Sequence, residues 1–133
     1  MAANTLPIFA VKPKVWPAQI TDVSGTTPVT VATGGANGSI IEGLIGTSTD
    51  STIRVVSVIL TRGSTNYYLG AVKFSSTEGT DGDSVSKNIL SETEMNLMSG
   101  PVVLESGDIL KVAAQSTLTV GSEIAVTAFG GDY

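Results

Sequence analysis

The sequence predicts a single all-β domain, a sandwich or a barrel, and three observations carry that expectation. The chain has 133 residues, which suits one domain of ordinary size. From Thr26 onward it divides into short runs dominated by Val, Ile, Thr and aromatic residues, the types that fit a pleated, half-buried surface. Clusters of Gly, Asn, Asp and Ser separate those runs, and short strands punctuated in this way belong to sandwiches and barrels.

Taken in order, residues 1–24 carry Pro7, Pro13 and Pro17 and the only tryptophan, Trp16. Proline lacks the donor that a central ladder needs, so this segment reads as an extended N-terminal arm or an edge strand, ahead of a domain spanning 25–133. Ile8, Phe9, Val11 and Val15 surround Trp16, and a segment so apolar must pack on its own body or on a neighbouring subunit. The expected strands are Pro28–Ala32, Ser39–Ile45, Thr52–Thr61, Asn66–Phe74, Pro101–Leu104, Ile109–Ala114 and Glu123–Phe129. Turn signals stand between them at Gly34-Gly35-Ala36-Asn37-Gly38, Arg62-Gly63-Ser64, Asp81-Gly82-Asp83, Ser106-Gly107-Asp108 and Val120-Gly121-Ser122. Two strands, Thr52–Thr61 and Glu123–Phe129, are apolar on both faces. They should be covered by the opposing sheet on one side and by an arm or subunit on the other. One short helix is expected at Glu92–Met98. Ser91 and Glu94 form a capping box, Leu90 and Met95 a hydrophobic staple, and Gly100-Pro101 a stop.

Composition removes whole classes of chemistry. The chain has no histidine and no cysteine, which excludes His-dependent triads, His or Cys metal sites, thiolate catalysis and disulfides. Seven Lys and Arg against twelve Asp and Glu give a net charge of −5, opposite to what a nucleic-acid groove needs. Only 14% of residues are charged, 41% are hydrophobic, and 15 Ser and 17 Thr fill much of the remainder. The N-terminus has no early positive charge and its apolar stretch is broken by Pro7, so no secretory signal is read and synthesis in the cytosol is expected. The longest strongly apolar run, Val55 to Leu60, is far short of the roughly 20 residues a spanning helix needs.

The remaining candidates for chemistry are weak. The acidic stretch Glu78-Gly79-Thr80-Asp81-Gly82-Asp83-Ser84 offers oxygen ligands to a hard cation, but it lacks EF-hand spacing and reads as a solvated loop. Ser84-Val85-Ser86-Lys87 has the Ser-x-x-Lys form of serine acyl enzymes without a Lys-Thr-Gly partner. The Gly34–Gly38 stretch has no Gly-Lys-Ser/Thr after it and reads as a turn rather than a phosphate cradle. Glu42, Glu105, Asp108 and Glu123 could supply a carboxylate pair only if two of them converge, and isolated strand acids ordinarily face solvent. Tyr67-Tyr68 is the one aromatic pair. Neighbouring strand residues point to opposite faces, so one buried and one exposed ring is expected, with a sugar platform as the sharper alternative. Tyr133, beside Asp132 and the terminal carboxylate, is expected at the surface or at an interface. No catalytic, cofactor-binding or metal residue is assigned.

The stretch Ser106-Gly107-Asp108-Ile109-Leu110-Lys111-Val112, followed by Glu123-Ile124-Ala125-Val126-Thr127-Ala128-Phe129-Gly130-Gly131-Asp132-Tyr133, resembles the ending of small virion proteins of tailed bacteriophages. The middle of the chain is similar too, at Thr52–Leu60, Asn66–Val72, Asn88-Ile89-Leu90 and Pro101–Leu104, so the likeness covers roughly 38–133. It implies a jelly-roll-like β-sandwich that self-associates, commonly as a homotrimer, and binds the major capsid lattice or a tail component. It further implies a place in the virion after assembly in the bacterial cytoplasm, with no enzyme activity and no nucleic-acid or membrane partner. A tail or fibre-base adaptor and a host glycan-binding module are the alternative readings.

Overall fold

The computed structural model describes residues 12–82, 85–91 and 101–133. Among them are nine strands: β1 (Lys12–Thr21), β2 (Val29–Thr33), β3 (Ser39–Ser48), β4 (Arg54–Arg62), β5 (Thr65–Phe74), β6 (Lys87–Asn88), β7 (Val102–Leu104), β8 (Ile109–Ala114) and β9 (Glu123–Asp132). They form two antiparallel sheets, β1-β9-β3-β6 with β7 also on β3, and β2-β8-β4-β5. β6 and β7 both pair with β3, so together they occupy one interrupted strand position. The pairs are then nested: β1 with β9, β2 with β8, β3 with β6 and β7, and β4 with β5. A long hairpin rolled so that its successive pairs alternate between two sheets is the jelly roll.

The core lies between the sheets. Ile20, Ile41, Leu44, Ile124, Val126 and Ala128 from one sheet meet Val56, Val58, Val72, Phe74, Leu110 and Val112 from the other, with Trp16 and Ala18 packed at the margin. These are the alternate residues of each strand, as a period of two requires. Two glycines are fixed by close packing. A Cβ on Gly46 would meet the Phe74 ring, and a Cβ on Gly130 would meet the carbonyl of Ile40 beside the β3 bulge at Glu42.

Residues 12–21 of the expected arm are an edge strand paired along their whole length with β9. Pro13 and Pro17 share a parity with Thr21, whose amide turns to Ser24 Oγ at 3.2 Å instead of to β9. The two prolines therefore sit where the donor would face outward, and they remove two of the donors that a further strand could use. Residues 1–11 and the helix expected at Glu92–Met98 lie outside the described residues. Just before the latter, Ile89–Ser91 forms a single 3-10 turn.

Candidate interaction surfaces

The ionic groups act first as locks on the fold. Asp50, in the β3–β4 connection, is fully buried. Its carboxylate accepts from the amides of Thr52 and Thr119 (both 2.9 Å), from Arg54 Nε (2.8 Å) and from Thr119 Oγ1 (2.9 Å). Burial pushes its pKa up, but the four donors outweigh burial and hold it well below the usual carboxylate range. Arg54 continues to Ser116 Oγ and Thr119 Oγ1, each 3.1 Å away, so one buried anion joins two loops of the same end.

At the opposite end, Arg62 grips Asp108 through both nitrogens of its fork (2.8 and 2.6 Å), and the amide of Glu105 donates to the same carboxylate (2.9 Å). The Arg62 fork holds Asp108 below its ordinary pKa against the cost of burial. Asp132 is held down by Lys14 at 2.7 Å and by the Ser39 hydroxyl at 2.5 Å, and the Tyr133 amide donates to Gly38 O at 3.1 Å. The terminal Gly-Gly-Asp-Tyr thus ties the chain end to the β2–β3 turn.

The candidates for chemistry disperse. Glu123 begins β9 at one end, Glu105 and Asp108 lie at the other on Arg62, and Glu42 sits in the β3 bulge. Lys87 pairs with Glu78 at 3.3 Å, and Glu78 also accepts from the Ser75 amide, so the Ser-x-x-Lys lysine lies on a carboxylate. Ser84 and Asp83 lie outside the described residues. The Gly34–Gly38 stretch is the β2–β3 turn, with its Gly34 amide bonded to Asp108 O and its Gly35 amide to Ser39 Oγ. Among the described residues no buried side-chain nitrogen or oxygen lacks a partner. No group of three or more acidic side chains converges there either.

The exposed large hydrophobic residues, by contrast, fall into three places. Val15, Ile45, Val103 and Phe129 lie on the outer face of the β1-β9-β3 sheet. Val23, Ile53, Val85 and Val120 belong to connections at the end of the sandwich that Asp50 organises, and they are 58 to 90% exposed. Tyr67 and Tyr68 stand on β5, and here the expectation of one buried ring fails. Both are exposed, because the first four residues of this edge strand are all open to solvent.

The first of these places is the most extensive. Across it run cross-strand rows Pro13–Gly131–Ile40–Val103, Val15–Phe129–Gly43, and Pro17–Thr127–Ile45–Asn88, ending at Gln19–Ala125–Thr47. None of those residues is charged, but two carboxylates stand on the same face, Glu42 exposed in the bulge beside Gly43 and Glu123 bonded to Gln19 Nε2 at one end. The Phe129 ring lies over Gly43, where a Cβ would touch it at 3.6 Å. Four residues back along β9 a shallow hollow of about 330 Å³ is lined by Pro17, Ala18, Gln19, Ala125 and Thr127. Sequence reasoning marked Glu123–Phe129 as two-faced but did not find this surface. Its signal was the parity of Pro13, Val15 and Pro17, which only pairing with β9 turns into a face.

No known protein family, curated protein or solved structure matches the chain.

Proposed function

We propose that the chain is a non-enzymatic structural protein of a tailed-bacteriophage virion, a capsid decoration or cement protein that self-associates and binds the major capsid lattice. The observation that carries the reading is the distribution of exposed apolar side chains. Apart from Tyr67 and Tyr68 they gather on one sheet face and at the loop tips of one end, around a frame in which every buried side-chain polar atom of the described residues is hydrogen-bonded. The jelly-roll topology and the resemblance of the C-terminal half support the same reading, as does a disulfide-free frame held by buried ionic locks.

In this account the loop tips are the shell-facing end. Arg54 and Lys87 there are engaged by Asp50 and Glu78, while Asp22 and Glu123 have no ion-pair partner among the described residues. An apolar end with an acidic rim suits a protein surface bearing Lys and Arg. The test is a cryo-EM map of capsids lacking the protein after incubation with the purified chain. Density at lattice positions in hundreds of copies is the expected result, a ring-sized number moves the protein to the tail or fibre base, and no binding overturns the reading. The two exposed tyrosines favour a second reading, a host glycan-binding module. Tyr67→Ala with Tyr68→Ala should leave cell adsorption unchanged if the first reading holds.

A further inference from the structure

We propose that Asp50 is a positioning residue for a docking end. It fixes the connections that carry Ile53, Val85 and Val120, and these aliphatic tips, together with Val23, seat on a protein surface bearing Lys and Arg. The inference rests on the shell-facing assignment above and adds which side chains make the contact and what holds them in place.

Three observations carry it. The first is the kind of residue at the tips. Connections ordinarily present Gly, Asn, Asp or Ser, yet each of the four at this end presents a β-branched aliphatic side chain: Val23 at 90% exposure, Val120 at 87%, Val85 at 84% and Ile53 at 58%. One such side chain would need no explanation, but four at one end form a patch that the fold itself does not bury. Branching at Cβ also leaves each of them few rotamers to lose on binding. The second observation is how they are held. The Asp50 carboxylate accepts from the Thr119 amide and hydroxyl on the β8–β9 connection and from the Thr52 amide next to Ile53. Its carbonyl accepts from the Thr77 amide on the β5–β6 connection at 2.9 Å. One buried residue thus joins three connections, and loops fixed in advance lose less freedom when they dock. The third observation is charge. The four connections contain no Lys or Arg, while Asp22, exposed Asp81 and Glu123 bring carboxylates to the rim. The flanking Arg54 and Lys87 are paired with Asp50 and Glu78, and Lys73 stands on the outer face of the neighbouring sheet in register with Val55. Such an end repels another acidic end and anionic lipid, and its connections lack the basic side chains that hold proteins on headgroups. It complements a cationic protein surface.

The experiment measures binding of the purified full chain to capsids lacking the protein, by co-sedimentation across a range of chain concentrations. It compares the parent with Val120→Ser, Asp50→Asn, the double variant, and Ile59→Ala as a control destabilised away from this end. Val120→Ser and Asp50→Asn are each expected to weaken binding about five- to tenfold, and Ile59→Ala to bind as the parent does. The double variant should fall well short of the product of the two single losses, because Asp50 acts through the tips. Should Asp50→Asn not fold, Thr119→Val, which keeps the Asp50–Arg54 pair, takes its place in the cycle. Binding that Val120→Ser leaves unmoved, losses that simply multiply, or an equal loss in Ile59→Ala overturns the proposal and leaves the decoration reading standing. Uptake of the parent by phosphatidylcholine vesicles, abolished by Val120→Ser, would make the tips lipid anchors and overturn it too. A parent that does not bind capsids at all overturns the decoration reading and this proposal with it.

Discussion

The two sheets of the sandwich treat their outer faces differently. On the β2-β8-β4-β5 sheet, Ser57, Ile59, Thr61 and Ala113 point away from the core yet are buried. Ile59 has Tyr68 and Lys111 as its cross-strand neighbours, long side chains that stand on either side of it. On the β1-β9-β3 sheet Phe129 stands between Val15 and Gly43 and Ile45 between Thr127 and Asn88, while Val15 on the edge strand has Phe129 on one side only, and all three stay exposed. One outer face is closed within the chain and the other is left for a partner.

That contrast can be broken most forcefully at Ile59 and Val15. Ile59→Ala should cost about 2–4 kcal/mol of folding stability, measured by denaturant unfolding, with no effect on association. Val15→Ser should change the stability of the isolated fold by less than about 1 kcal/mol while weakening the oligomer. Equal losses at the two positions would erase the distinction. Asp50→Ala should cost on the order of 3 kcal/mol, because it strands Arg54 and the Thr119 amide; the loop tips then lose their common anchor, and amide exchange in 115–122 should accelerate.

A smaller effect follows from acid. Asp50, Asp108 and Asp132 all have folded-state pKa values held below the ordinary value of 3.8. The unfolded chain therefore binds protons first as pH falls, and the stability these groups lend is fully present only above that range. The melting temperature should be flat near neutrality and decline progressively below about pH 4, as protonation proceeds toward the lower folded values. The smallest effect is at the guarded edge. Pro17→Val restores an outward donor on β1, and should raise concentration-dependent aggregation by light scattering while scarcely altering the melting temperature.

How much of this was legible in the sequence depends on how far apart the cooperating residues are. Ile109–Ala114 was read to the residue and the six other expected strands to within a few, because turn residues and β-branched runs are local signals, whereas the two-residue β6 at Lys87–Asn88 was not read at all. The edge character of β1 was legible from its prolines. The Asp50 lock was not, since Thr119 lies 69 residues away and nothing local distinguishes Asp50 from a solvated loop acid. The two tyrosines were misread because alternation assigns one to each face of β5 without revealing that neither face is covered there. The open sheet face was half legible. The apolar outer residues of β9 were visible, but whether neighbouring side chains would cover them depends on register with β1 and β3, which no single strand encodes.

The measurement that bears most directly on the account is sedimentation equilibrium of the unmodified full chain over a hundredfold dilution. A protein whose open face is a contact surface should sediment above its 13.6 kDa chain mass, and dissociate only as the concentration falls. A single species of chain mass at every concentration would contradict it.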